Sequence, residues 1–259
     1  MKLHGSVRGT GSDVVFLHAG IADRRMWAPQ APVFERTFRV TTYDLRGFGE
    51  SPMVPGPYAH TRDLVALLDE KGVKRAALVG ASMGGSVAID FTLEHPDRVT
   101  ALVLVDAGLD GYRFQDPWLK ERWAASEGAL ERGDWEEAAR IEIATWLAGP
   151  DRRIEEVPQS LRDLLREMLL ASYPATKAGG IEEGPDTSSI ERLGEIRVPA
   201  LVLLGEHDVP DMRRIAGILA SDIPKAEHAV IANAAHLPSL ERPEEFNRLA
   251  LEFLERALR

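Results

Sequence analysis

The 259-residue chain contains no cysteine. Disulfides, thiolate zinc or iron–sulfur sites and a cysteine nucleophile are thereby excluded, and the absence fits a reducing compartment. Long apolar runs are also missing. No stretch reaches the roughly 18 uncharged apolar residues that a membrane span needs. The start, Met1-Lys2-Leu3-His4-Gly5-Ser6, has no apolar signal-peptide core. Positive charge is in short supply: 31 Lys and Arg against 41 Asp and Glu give a net charge of −10, with no basic run to offset it. A surface of that sign repels phosphate backbones, so nucleic acid is a poor partner. Nucleotide and metal motifs are absent as well. Gly9-Thr10-Gly11 precedes a strand and lacks a third glycine, there is no Walker pattern and no H-E-x-x-H, and His207 beside Asp208 has no partner at ligand spacing. The expectation is a soluble, cytoplasmic protein with no cofactor, no metal and no membrane or nucleic-acid partner. The oligomeric state stays open.

What the chain does have is apolar residues, 44% against 28% charged, enough for a sizeable core. Short apolar runs alternate with helical patterns, the rhythm of a mostly parallel α/β sheet covered on both faces. The runs are Val14–His18, Arg39–Tyr43, Ala76–Gly80, Ala101–Val105, Ala200–Leu204 and Ala229–Ala232, with a weaker leading strand at Leu3–Arg8. Thr61 is placed to cap a helix that Gly72 ends, and Pro243 to open the last helix. Between Leu109 and Leu193 the rhythm stops and only helical patterns remain, including one capped by Asp134 with Glu137 and one opened by Ser160. Four of the five tryptophans (118, 123, 135 and 146) fall there. They suggest an apolar or aromatic pocket wall, although tryptophans of this kind more often pack helices together. Residues 1–108 and 194–259 thus read as an α/β core, and 109–193 as a helical insert over the carboxyl edge of the strands, where such sheets bind ligands.

Gly80-Ala81-Ser82-Met83-Gly84 lies between the apolar run that ends at Val79 and the helical stretch Val87–Leu93. Strand, tight turn and helix is the setting in which G-x-S-x-G presents a serine hydroxyl clear of the backbone. A passive serine in a glycine-rich turn is the plain alternative. A hydroxyl needs a base, and the base an orienting carboxylate, following in the order Ser, acid, His at later strand ends. Gly205-Glu206-His207-Asp208 and Asn233-Ala234-Ala235-His236 supply both. Asp208 is the preferred acid, with Asp106 its rival and Glu206 a weaker one. Two amides must hold an oxyanion. Met83, after the nucleophile, is one, and Gly20 in the loop His18-Ala19-Gly20-Ile21 is the favoured second, ahead of Ala19. His18 is expected to orient that loop rather than take part in chemistry.

Together with Asp44-Leu45-Arg46-Gly47-Phe48-Gly49-Glu50-Ser51, these motifs resemble the α/β-hydrolase superfamily over essentially the whole chain. The resemblance implies its fold, with Ser82 as nucleophile, Asp208 as acid, His236 as base, Gly20 and Met83 as the oxyanion hole, and the insert as a cap. Two departures stand out: His-Ala-Gly where His-Gly-X is commoner, and a short N-terminus that leaves the first of the usual eight strands missing or reduced. The stretch His236–Phe246 is most similar to small carboxylesterases and 3-oxoadipate enol-lactonases. The function implied is cofactor-free hydrolysis of a small carboxylic ester or lactone. A C–C bond hydrolase, a perhydrolase (haloperoxidase) or a ligand receptor on the same scaffold are the alternatives.

Overall fold

Residues Val14–Leu17, Ala76–Ala81 and Leu102–Val105 are buried almost completely, as strands must be when helices cover both faces of a sheet. The computed structural model describes residues 2–259, without the side chains of Thr176 and Lys177; Met1, first residue of the predicted core segment, lies outside the described residues. The strands are β1 (Gly5–Arg8), β2 (Asp13–Leu17), β3 (Arg39–Tyr43), β4 (Gly56–Tyr58), β5 (Ala76–Ala81), β6 (Val99–Val105), β7 (Gly180–Glu182), β8 (Ala200–Gly205) and β9 (Ala226–Ile231). Seven of them form the main sheet in the order β1-β3-β2-β5-β6-β8-β9. Only β1 runs antiparallel, against β3. The fold is thus the expected α/β arrangement, a mostly parallel sheet with helices around it.

Side chains alternate across the sheet. Val14, Phe16, Val79, Val103 and Leu203 join one core, and Val15, Leu17, Leu78, Leu102 and Val202 the other. The helices are α1 (Ala31–Phe34), α2 (His60–Glu70), α3 (Met83–Glu94), α4 (Pro117–Glu131), α5 (Trp135–Ile143), α6 (Gln159–Ser172), α7 (Pro210–Asp222), α8 (Pro238–Glu241) and α9 (Pro243–Ala257). The first core takes in α1, α9 and the buried sides of α5 and α6, while the second takes in α2, α3 and α7. No described helix is long and apolar enough to cross a membrane.

The strand order sets the position of the site. From β2 the chain moves to β3 on one side, and from β5 to β6 on the other, yet β2 and β5 are parallel neighbours with Leu17 opposite Gly80. The loops that leave their carboxyl ends therefore diverge and open a crevice between them.

Several local expectations are corrected. Ala59, not Thr61, precedes the first residue of α2, and Thr61 lies inside the helix, though Gly72 does follow its end at φ +66°. Pro158, not Ser160, stands before α6. The last strand begins at Ala226 rather than Ala229, because it is a sheet edge whose exposed Glu227, His228 and Val230 interrupt the apolar run. The stretch Leu109–Leu193 is not free of strands. Its β7 pairs in parallel with β4, Tyr58 opposite Glu182, and ties that stretch to the connection between β3 and α2.

Asp90 on α3 accepts a hydrogen bond from the Ser189 hydroxyl, and burial raises its carboxyl to about 6. The unfolded group sheds its proton near pH 4. Between those values the folded chain binds more protons than the unfolded one, so stability falls as pH rises through the window. Asp90→Asn keeps the hydrogen bond and removes the charge. It is expected to stabilise the fold by about 2 kcal/mol at pH 7.5, with the gain gone by about pH 4 in denaturant titrations.

Candidate active site

Ser82 sits between β5 and α3 at φ 50°, ψ −115°, a conformation that L residues adopt only where the surroundings enforce it. Its amide donates to the Val105 carbonyl at 2.9 Å, and its carbonyl accepts from Gly85, Ser86 and Gly108 at 2.9 to 3.0 Å. The glycines on either side are steric necessities. A Cβ on Gly80 would stand 2.3 Å from the Gly84 carbonyl oxygen, and one on Gly84 2.4 Å from that of Leu17. Asp106 after β6 (φ 42°) and Asn233 after β9 (φ 55°) are the other non-glycine residues with positive φ among those described. All three follow strands at the carboxyl edge.

His236 is buried, and its Nδ1 lies 2.8 Å from Asp208 Oδ2. A carboxylate can only accept there, so Nδ1 carries the proton and Nε2 the free lone pair. The second Asp208 oxygen accepts the Val209 amide at 2.7 Å. The rival Asp106 lies close by: one oxygen of each aspartate and a ring nitrogen of His236 fall within 4.8 Å of one another. Asp106 Oδ1 is turned to the Gly205 amide at 2.9 Å, and Oδ2 is buried without a hydrogen-bond partner. Burial, then the charge of Asp208, pushes Asp106 well above the usual carboxylate range and so favours its neutral form. These three are the described side chains closest to a metal-ligand set, but the 2.8 Å contact between His236 and Asp208 takes up two of the atoms a metal would need. Glu206 is exposed and accepts the Asn233 amide at 2.9 Å instead of reaching the imidazole.

On the other side of Ser82, the loop after β2 is held by His18. Its Nε2 accepts the Leu45 amide at 2.9 Å, so the proton is on Nδ1, which donates to the Ala19 carbonyl at 2.8 Å. Burial lowers the pKa of His18, which keeps this neutral form. The Ala19 amide is already directed at Met26 Sδ, 3.3 Å away. The amides of Gly20 and Met83 enter no such bond among the described residues, and the two residues adjoin: a Cβ on Gly20 would meet Met83 at 3.5 Å. Of the two candidates in this loop, Gly20 is the one free to donate.

Sequence reasoning missed Trp146. It lies in a π-helical turn, Ala144–Ala148, with its ring 4.3 Å from that of His236, and its carbonyl accepts the His236 amide at 3.1 Å. Four tryptophans in one stretch were a signal of aromatic packing, but nothing local marks the one that reaches the imidazole. Arg152 follows this turn and pairs with Glu241 at 2.7 Å, side chains 14% and 4% exposed, while Glu241 also accepts the Ala235 amide at 2.8 Å. Arg152→Met would leave Glu241 buried without its partner. The expected cost is about 3 kcal/mol in urea unfolding, accompanied by lower turnover as the His236 loop loosens.

Ser82, Asp208 and His236 thus stand on loops after β5, β8 and β9 at one edge of the sheet, and Gly20 and Met83 on the crevice between β2 and β5. Ser82 is half-buried, and its hydroxyl forms no hydrogen bond to His236 among the described residues. Such bonds are often long in unliganded enzymes and tighten around substrate.

A family model for the alpha/beta hydrolase fold matches residues 14–243. The chain belongs to that family. Like this α/β hydrolase, the relatives act as hydrolases. It is 30% identical over 267 residues to a 2-hydroxy-6-oxononadienedioate/2-hydroxy-6-oxononatrienedioate hydrolase of Burkholderia vietnamiensis, covering 99% of this chain and 92% of that one. Among solved structures, a thermophilic esterase from Thermogutta terrifontis superposes with TM-score 0.84 at 30% identity, over 99% of this chain and 94% of that one. The enol-lactonase from Burkholderia xenovorans LB400 superposes with TM-score 0.80 at 25% identity, over 98% and 96% of the two chains.

Proposed function

We propose that this α/β hydrolase is a cofactor-free serine hydrolase of small carboxylic esters or lactones, working in the cytoplasm through an acyl-enzyme on Ser82. The observation that carries the reading is the buried Asp208–His236 hydrogen bond, which fixes the imidazole with Nε2 basic, on the same sheet edge as a serine held in a strained elbow. Ser82 Oγ attacks the carbonyl carbon and gives its proton to His236 Nε2, while the carbonyl electron pair moves onto oxygen. The Gly20 and Met83 amides donate to that oxyanion. Collapse expels the alkoxide, which takes the proton from Nε2. A water then loses its proton to Nε2 and attacks the acyl carbon; as this second intermediate collapses and releases the acid, Ser82 Oγ takes that proton back from Nε2. Asp208 holds the imidazole in place and balances its charge. Residues 109–193 form a cap that covers the site and shields it from water, and Trp146 is its contact with the base.

The likeness to the Burkholderia vietnamiensis hydrolase, whose named substrate is a dioate, favours a second reading in which the same residues cleave a C–C bond. A panel of short-chain aryl esters and lactones, a vinylogous diketone and a serine-directed fluorophosphonate separates the two. Ester or lactone turnover above that of the diketone, with labelling at Ser82, is expected. No labelling and no ester or lactone turnover overturns the first reading.

A further inference from the structure

A cavity of about 400 Å³ opens beside Gly20 and Met83, between the crevice and the helices of residues 109–193. Its described lining includes two carboxylates, Glu142 of α5 and Glu182 of β7, and no lysine or arginine. Glu142 accepts only the neutral Trp146 indole N–H, at 2.8 Å, and forms no ion pair among the described residues. Glu182 is placed by the β4–β7 pairing, and His60 Nε2 lies 3.8 Å from its carboxylate. His60 is buried, its Nδ1 has no hydrogen-bond partner, and burial lowers its pKa, so it is neutral at pH 7 and supplies no compensating charge. The nearby Arg46 is spoken for: it forks onto Asp63 at 2.6 and 2.7 Å while covering the Tyr58 ring. The remaining wall offers the rings of Phe48, Tyr58 and Tyr173, surfaces that suit an alkyl or alkylammonium group.

We propose that this cavity selects substrates by charge, preferring an alkylammonium substituent on the ester, accepting its neutral counterpart and rejecting a carboxylate, with Glu142 the chief determinant. The inference rests on the serine-hydrolase reading, since it is the nearness of Gly20 and Met83 that makes the cavity part of the substrate site. Glu142 outweighs Glu182, whose side chain is 54% exposed and so more screened by water.

The test uses three p-nitrophenyl esters of matched size, those of 4-(trimethylammonio)butyrate, 5,5-dimethylhexanoate and glutarate. We expect kcat/KM to fall in that order, with about tenfold or more between the first and the last. Glu142→Gln keeps an acceptor for the Trp146 indole and is expected to shrink both the ammonium-to-neutral and the neutral-to-carboxylate ratios. Binding of the anilides of the same three acids to Ser82→Ala protein, by calorimetry, gives the order without any turnover. Absence of Ser82-dependent hydrolysis with the binding order intact would sink the serine-hydrolase reading and leave the charge selection standing. A glutarate derivative bound or hydrolysed as well as the neutral one, or ratios unmoved by Glu142→Gln, overturns the proposal.

Discussion

Ser82→Ala is expected to lower kcat on an aryl ester by about 10⁴-fold or more and to abolish fluorophosphonate labelling, while the fold stays intact by circular dichroism. The size follows from what the hydroxyl does: without it no acyl-enzyme forms, and only the Gly20 and Met83 amides and binding remain to favour attack by water. KM is expected to move little, because the side chain bonds to nothing else among the described residues and is not part of the cavity lining, which its neighbour Met83 joins. The stability change should also be small. The strain at Ser82 (φ 50°) belongs to the backbone, held by bonds from its amide and carbonyl, and alanine meets the same surroundings. Full activity in Ser82→Ala would place the nucleophile elsewhere.

Much of this could be read from the sequence because the signals are local. Each buried strand is a short apolar run, and the elbow is a motif whose glycines are required by backbone contacts within a few residues or on the neighbouring strand. That Ser82, Asp208 and His236 share one edge follows from one physical fact: loops after parallel strands open on the same side. What could not be read depends on partners far along the chain. The strands β4 and β7 have three residues each and exist because they meet across some 120 positions. The contact of Trp146 with His236 depends on how a whole helical segment packs. Glu142 was invisible for the same reason; on α5 it reads as an ordinary solvated charge.

The preference for Asp208 over Asp106 was the most exposed of the sequence readings, since both are aspartates at the ends of adjacent strands. Substitution by asparagine separates them. Asp208→Asn puts an amide where Nδ1–H needs an acceptor with a full negative charge; the imidazole can then turn or change tautomer, and kcat is expected to fall by about 10⁴-fold. Asp106→Asn replaces a carboxyl whose neutral form burial already favours, and its amide oxygen can still accept from Gly205. Its effect on kcat at pH 7 is expected to stay within about threefold. Stability provides an independent check. A buried acid with a raised pKa disfavours the folded state increasingly as pH rises above its unfolded value, so Asp106→Asn should gain stability relative to the parent chain at pH 8 and not at pH 4. If instead Asp106→Asn loses activity by thousands and Asp208→Asn does not, Asp106 is the partner of the imidazole, and the hydrogen bond between Asp208 and His236 is a structural one.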